Sequence, residues 1–176
     1  VEKPAARVAK GVDVVFNALH GEFGEDGKVQ KMLHDFGVPY TGSGVMASLL
    51  SMNKVAAKKI FERGGLKTPF SVSINLKDLS REIMRDAYKI VPQPFVVKPA
   101  ASGSSVGVGI AHSLPELEEL VVAAFEYSPQ VLIEEYIDGK EATCGVIDEF
   151  RGKKFYSLMP IEIRPQSQNN FFDYKL

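Results

Sequence analysis

Cysteine is almost missing from this chain. Cys144 stands alone among 176 residues, so no internal disulfide can form. Three scattered histidines, His20, His34 and His112, add too few ligands for a structural zinc cluster. A reducing, cytoplasmic setting is therefore the expectation. Residues 141–147 around Cys144 alternate like a strand, which predicts a buried, inert thiol. An excess of either charge is also lacking. The net charge of −1 favours neither nucleic acid nor an anionic membrane surface, and neither is expected as a partner. No apolar run reaches the ~18 residues of a membrane span, and no charged-then-apolar leader opens the sequence. The chain starts on valine and ends on Phe-Phe-Asp-Tyr-Lys-Leu with no closing helix or turn, so a piece of a longer protein is expected. What remains, 45% hydrophobic and 24% charged, suits one or two compact domains of ordinary composition.

Apolar patterning divides the chain into short elements. Residues 12–18 read as a buried, parallel-type strand. The loop His-Gly-Glu-Phe-Gly-Glu-Asp-Gly follows at 20–27. Asp26 then suits the cap of a helix whose Val29, Met32, Leu33 and Phe36 share one face. A short helix is expected over 45–50. Asn53 can cap another that runs to Arg63 and stops at Gly64-Gly65. Strands are expected at 70–74, 95–98, 106–110, 131–137, 141–150 and 154–163, with a hairpin turn at Arg151-Gly152. Helices are expected from about 80 to 89 and after the capping box Ser113-Leu-Pro-Glu116. From residue 95 on, this order suits an α+β fold with antiparallel sheets. The first ~40 residues read as part of an α/β unit.

The richest chemical signal is residues 96–109, Val-Val-Lys-Pro-Ala-Ala-Ser-Gly-Ser-Ser-Val-Gly-Val-Gly. Small residues let several backbone N–H groups face one anion, and Lys98 adds a point charge. A hairpin loop of this kind can close over a triphosphate; an ordinary Gly/Ser-rich turn beside a surface lysine is the alternative. The common phosphate loop places its lysine after the glycines and leads into a helix, which is not the order here. Lys54 falls in the first turn of its helix, where the dipole disfavours a cation unless an anion is near. The plain alternative is a solvated lysine. Glu134, Glu135, Tyr136 and Ile137 close a strand whose backbone could pair with a purine edge, and Glu141 could meet ribose hydroxyls. Glutamates on a strand more often form a solvated face. His20 stands at a strand's carboxyl end, where α/β sheets place ligands, although a lone loop histidine is more often incidental.

Taken together, these stretches resemble the D-alanine–D-alanine ligase family. The resemblance is carried by the loop at 20–27, Gln30, Pro39-Tyr-Thr-Gly-Ser-Gly-Val45, Ser51-Met-Asn-Lys54, Lys98-Pro99, Gly103-Ser-Ser-Val-Gly107, Ile133-Glu-Glu-Tyr136, Glu141 and Phe172-Asp-Tyr174. It implies the ATP-grasp fold, of mixed α/β and α+β class. The implied divisions are a partial α/β N-terminal domain at 1–42, a central lobe at 43–138 and the start of a C-terminal lobe at 139–176. It implies ligation of two D-alanines through an acyl phosphate, in peptidoglycan precursor synthesis.

By the same resemblance, Lys54 and Lys98 would contact ATP phosphates. Ser105 and Val106 would present N–H groups to the γ-phosphate, and Ser104 would orient the first D-alanine. Glu134, Glu135, Tyr136 and Ile137 would bind adenine, Glu141 the ribose, and His20 would lie beside the acyl phosphate. Phe172-Asp-Tyr174 would begin a second mobile loop. Magnesium or manganese would be held by residues past the last one given, so no metal ligand is assigned. The family's N-terminal glutamate and its later arginine have no counterpart here, and Ala100-Ala101 replaces more polar residues. The piece alone is expected to be inactive. Two alternatives stay open: a ligase joining D-alanine to D-lactate or D-serine, and a nucleotide-binding module without turnover. A homodimer is compatible with the family, but the residues do not decide it.

Overall fold

The computed structural model describes residues 11–103 and 105–164. Ser104 and the segment Phe172-Asp-Tyr174 lie outside them. The chain forms two compact units, Val1–Tyr136 and Ile137–Leu176.

The first unit is built on an antiparallel sheet. Its strands β1 (Ser71–Asn75), β2 (Phe95–Pro99), β3 (Gly109–Ala111) and β4 (Gln130–Glu135) lie in the order β1-β4-β2-β3. Three helices precede the sheet: α1 (Lys28–Asp35), α2 (Val45–Met52) and α3 (Lys54–Arg63). Helices α4 (Arg81–Ile90) and α5 (Leu114–Ala124) cover one face of the sheet. Strand alternation sends Ile74, Phe95, Val97, Val131 and Ile133 to that face, where they meet Met84, Ala87, Leu117, Val121 and Ala124. Phe95 is fully buried and its ring lies 5.4 Å from that of Tyr88. The same alternation sends Val96, Lys98, Leu132 and Glu134 to the opposite face.

The helix caps follow from sequence. Asn53 accepts from the Ala56 N–H at 3.0 Å, and Ser80 from the Ile83 N–H at 3.2 Å. Ser113 accepts from the Glu116 N–H at 3.5 Å, while the Glu116 carboxylate reaches back to the His112 N–H at 2.8 Å. At α1 the cap shifts by one residue. Gly27 takes the position with φ 93°, and Asp26 accepts from the Phe23 and Lys28 N–H groups. A Cβ on Gly27 would stand 2.9 Å from the Val45 carbonyl oxygen, so glycine is what lets α2 approach here.

Several expected strands take a different form. Residues 12–18 form no extended strand among the described residues. Only an isolated parallel bridge joins Val15 to Tyr40, and Val14 and Phe16 are exposed. An apolar run is buried as a parallel strand only when neighbours flank it, and a single bridge is what this one has. The return strand after the Gly/Ser loop begins at Gly109 rather than 106, because Val106 and Val108 turn their N–H groups to Gly103 and Ser105 inside the loop. Gly107 holds φ 71°, and a Cβ there would meet the Tyr127 ring at 2.6 Å.

The second unit holds two separate ribbons: β5 (Glu141–Thr143) with β8 (Ile161–Ile163), and β6 (Val146–Phe150) with β7 (Lys153–Ser157). The two long strands expected here are thus each divided. The hairpin at Arg151-Gly152 forms, with φ values of 52° and 72°. Cys144 falls where the chain leaves one ribbon for the other, so it is exposed rather than buried. Its Sγ lies 3.2 Å from the Leu158 carbonyl oxygen.

Truncating Phe95 to alanine should remove about 3–5 kcal/mol of stability, the range for a fully buried aromatic. Urea denaturation followed by circular dichroism measures it, with an unchanged midpoint as the contrary result.

Candidate nucleotide-binding site

The sheet face away from α4 and α5 gathers three lysines around one carboxylate. Glu134 rises from β4 with its side chain 6% exposed. One oxygen accepts from Lys58 of α3 at 2.7 Å, and the other from Lys98 of β2 at 2.6 Å. Lys58 is fixed a second time by the Pro69 carbonyl oxygen at 2.6 Å. Burial alone would push the Glu134 carboxyl up, but the hydrogen bonds and charges of Lys58 and Lys98 outweigh it and hold it below the usual glutamate value.

Lys54 completes the group. Its ammonium donates to the Pro99 carbonyl oxygen at 3.0 Å and to that of Ser102 at 2.6 Å. Its backbone N–H, one of the unpaired donors at the start of α3, reaches the Ala100 carbonyl oxygen at 2.8 Å. Both acceptors of its ammonium are neutral. Burial, and then the charge of Lys98, push Lys54 below its ordinary value, with only Glu134 opposing them. The reading of Lys54 as a solvated surface lysine therefore fails. One carboxylate bonds two of the three ammonium groups and none bonds the third, so the excess positive charge is half-buried, an arrangement that an anion would stabilise.

The Gly/Ser loop lies beside this charge. Lys54 holds its first residues through Ala100 and Ser102, and Ser102 Oγ contacts the Val106 carbonyl oxygen at 3.3 Å. Ser105 adopts φ 55°. The loop also meets the 20–27 loop, since a Cβ on Gly103 would stand 3.3 Å from Gly21 Cα. This second loop is closed by its own carboxylates. Glu25 accepts from the Gly21 N–H at 2.6 Å, and the Gly24 carbonyl oxygen receives the amides of Asn17 and Gln30. His20 is exposed within it.

At the end of β4 the backbone is partly committed. Glu134 lies inside the ladder opposite Ser71 and Val96. The Glu135 and Tyr136 N–H groups go to the carbonyl oxygens of Phe70 at 2.9 Å and Pro94 at 2.8 Å. The Glu135 carboxylate accepts from the Phe70 N–H at 2.7 Å. Ile137 and Glu141 are exposed in the second unit. Lys58 was not singled out in the sequence. A signal for it exists: Lys54 and Lys58 are four residues apart on one helix face, where like charges repel unless something opposes them.

The folded Glu134 binds its proton less readily than an unfolded glutamate at about 4.5. The unfolded state therefore takes up the extra proton, and stability from Glu134 is complete above that value and lost as pH falls through the lower folded one. Glu134→Gln should lower stability at neutral pH by roughly 3–5 kcal/mol, as for one partner removed from a buried ion pair. It should also flatten the acid limb of the stability curve. Urea midpoints taken from neutral pH down to about pH 3 measure both, and an unchanged acid limb would count against the ion-pair account.

Comparison with known proteins identifies the family. A family model described as "D-ala D-ala ligase C-terminus" matches residues 61–176, and one described as "D-ala D-ala ligase N-terminus" matches 2–43. A D-alanine–D-alanine ligase of Citrifermentans bemidjiense is 42% identical over 173 residues, covering 98% of this chain and 52% of that protein. The chain spans about half the length of the curated relatives it matches. Among solved structures, the VanG D-Ala:D-Ser ligase from Enterococcus faecalis superposes with a TM-score of 0.81 at 32% identity, covering 93% of this chain and 46% of that one. The Bacillus anthracis D-alanine–D-alanine ligase complexed with ATP gives 0.76 at 35% identity, covering 92% and 51%. With both family models matched and the fold shared, this chain belongs to the D-alanine–D-alanine ligase family and has its ATP-grasp architecture.

Proposed function

We propose that this chain carries the nucleotide-gripping part of a cytoplasmic ligase that uses ATP to join two D-alanines for peptidoglycan precursors. The observation that carries the proposal is the uncompensated charge of Lys54 and Lys98 beside a glycine-serine loop. A carboxylate is a poor electrophile, so one D-alanine oxygen first takes the γ-phosphoryl group and ADP leaves. The amine of a second D-alanine then attacks the acyl carbon, loses a proton, and phosphate departs.

The chain's part is chiefly electrostatic. An anionic carboxylate approaches an anionic phosphate only if the charge between them is neutralised, and Lys54 and Lys98 supply two fixed cations for it. Ser105 would offer its loop N–H to the γ-phosphate, and Val106 would do so on leaving the Gly103 carbonyl oxygen that its N–H meets at 3.2 Å. Ser104 would help orient the first D-alanine. His20 would stand by the acyl phosphate, which is consistent with its loop meeting the Gly/Ser loop at Gly21. A loop closed over the site would keep water from the acyl phosphate. The four residues 134–137 would line the adenine: Glu134 meets Lys98, the Glu135 and Tyr136 N–H groups are already paired, and the Ile137 backbone would supply the donor, while Glu141 would take the ribose. The corresponding lobes are 43–138 and 139–176, after an N-terminal part at 1–42. For magnesium or manganese, no group of three His, Cys, Asp or Glu side chains that could hold a metal stands together among the described residues. These residues do not fit a metal site, and no step is assigned to one. Among the described residues no helix is long and apolar enough to cross a membrane.

The VanG likeness favours one second reading, a ligase whose second substrate is D-serine. Phosphate release by the polypeptide carrying this chain, assayed with ATP and D-alanine and then with D-serine added, separates the two. Retained ATP binding with no phosphate release, with or without either D-amino acid, would instead leave a binding module. Lys98→Ala should weaken ATP binding about tenfold to a hundredfold, the scale of a lost hydrogen bond to a charged group; equal affinity would remove the loop assignment. A bound phosphate would lift Lys54 back toward its ordinary value of 10.5. Binding therefore takes up protons, and ATP affinity should fall as pH rises from the lowered value of Lys54 through 10.5. Calorimetry in buffers of different ionisation enthalpy detects that uptake.

A further inference from the structure

Lys58 is the most buried of the three lysines, yet the proposed chemistry gives it no task. Its side chain is 11% exposed, against 30% for Lys98. It is held by two acceptors, Glu134 at 2.7 Å and the Pro69 carbonyl oxygen at 2.6 Å. Lys98 has one acceptor among the described residues, Glu134 at 2.6 Å, so its other N–H donors are left for a ligand.

We propose that Lys58 is a positioning residue of the nucleotide site: by occupying one oxygen of Glu134, it limits that carboxylate to a single hydrogen bond with Lys98 and so fixes both the direction and the surplus charge of Lys98. The proposal rests on the reading of Lys98 as a phosphate contact.

Charge and geometry both support it. A carboxylate has two oxygens, and a lone lysine beside it can draw on both. Lys98 and Glu134 would then form a neutral pair, and a phosphate would have to break it. With Lys58 on one oxygen, the same carboxylate serves two cations, and a full positive charge is left over on this pair of lysines. Lys58 is suited to that task because its own place is fixed from elsewhere. It sits on α3, and its second acceptor, Pro69, precedes β1. It therefore ties the helix that carries Lys54 to the strand that carries Glu134. Its spacing from Lys54 sets the two cations on one helix face, so both ammonium groups are presented to the same side of the sheet.

The test measures ATP affinity by displacement of a fluorescent nucleotide from the polypeptide carrying this chain. Thermal melts confirm that each variant is folded. Lys58→Met should weaken ATP binding about tenfold, the scale of one charge-assisted hydrogen bond. Lys58→Arg, which keeps the charge and the hydrogen bond to Glu134, should recover most of it. In a Lys98→Ala background, Lys58→Met should change ATP affinity little, because its action passes through Lys98. A purely structural role predicts equal losses in both backgrounds. If Lys58→Met does not fold, Lys58→Gln serves in its place, since it keeps a hydrogen bond to Glu134 but not the charge. A folded Lys58 variant that binds ATP as the parent does, or a loss undiminished without Lys98, overturns the proposal. Absence of ATP binding by the parent would instead overturn the nucleotide reading itself.

Discussion

A carboxylate on the central strand β4 is shared between two lysines that come from different elements, and the site depends on that sharing. Glu134 joins helix α3 through Lys58 and strand β2 through Lys98, on the sheet face opposite the apolar core. A buried carboxylate with no partner would be strongly disfavoured, and so would the buried Lys58 ammonium and the half-buried Lys98 ammonium without it. Each charge is tolerable only because the others are where they are. The arrangement leaves a surplus of positive charge, and Lys54 adds to it with only carbonyl oxygens as direct partners. In a protein that gained nothing from the surplus, a second carboxylate or an apolar side chain would be the more stable solution.

The two faces of one sheet divide the labour. On one face, Phe95, Val97, Val131 and Ile133 lock against α4 and α5 and make the sheet rigid. On the other, the intervening residues Lys98 and Glu134 are presented from that rigid frame with little freedom. The glycine-serine loop leaves directly from the end of β2, one residue past Lys98, and is held at its root by Lys54. Root and cation are thus part of one unit. The same lysine read as a phosphate contact also fastens the loop that would cover the phosphate.

The second unit is of a different kind. Its two ribbons expose most of their apolar residues, including Val146, Phe155 and Ile161. Cys144 illustrates why alternation misled: the pattern of 141–147 is that of a strand, but the chain breaks there between two pairings. Periodicity reports which side a residue takes along a strand, not whether anything covers that side.

The helices, their caps at Asn53 and Ser113, the approximate strands of the first sheet and the two lysines of the loop region were legible in order along the chain. Local chemistry decides them: a hydroxyl or amide reaches an N–H three residues on, and apolar spacing names a face. The resemblance in the glycine-rich stretches pointed to the family for the same reason, since close backbone approach to an anion restricts side chains locally. Tertiary structure alone decided the partners. Glu134 and Lys58 are separated by 76 residues, and Lys54 and the Ser102 carbonyl by 48. Which buried charge meets which is set by how α3 lies across the sheet, and no local spacing encodes that.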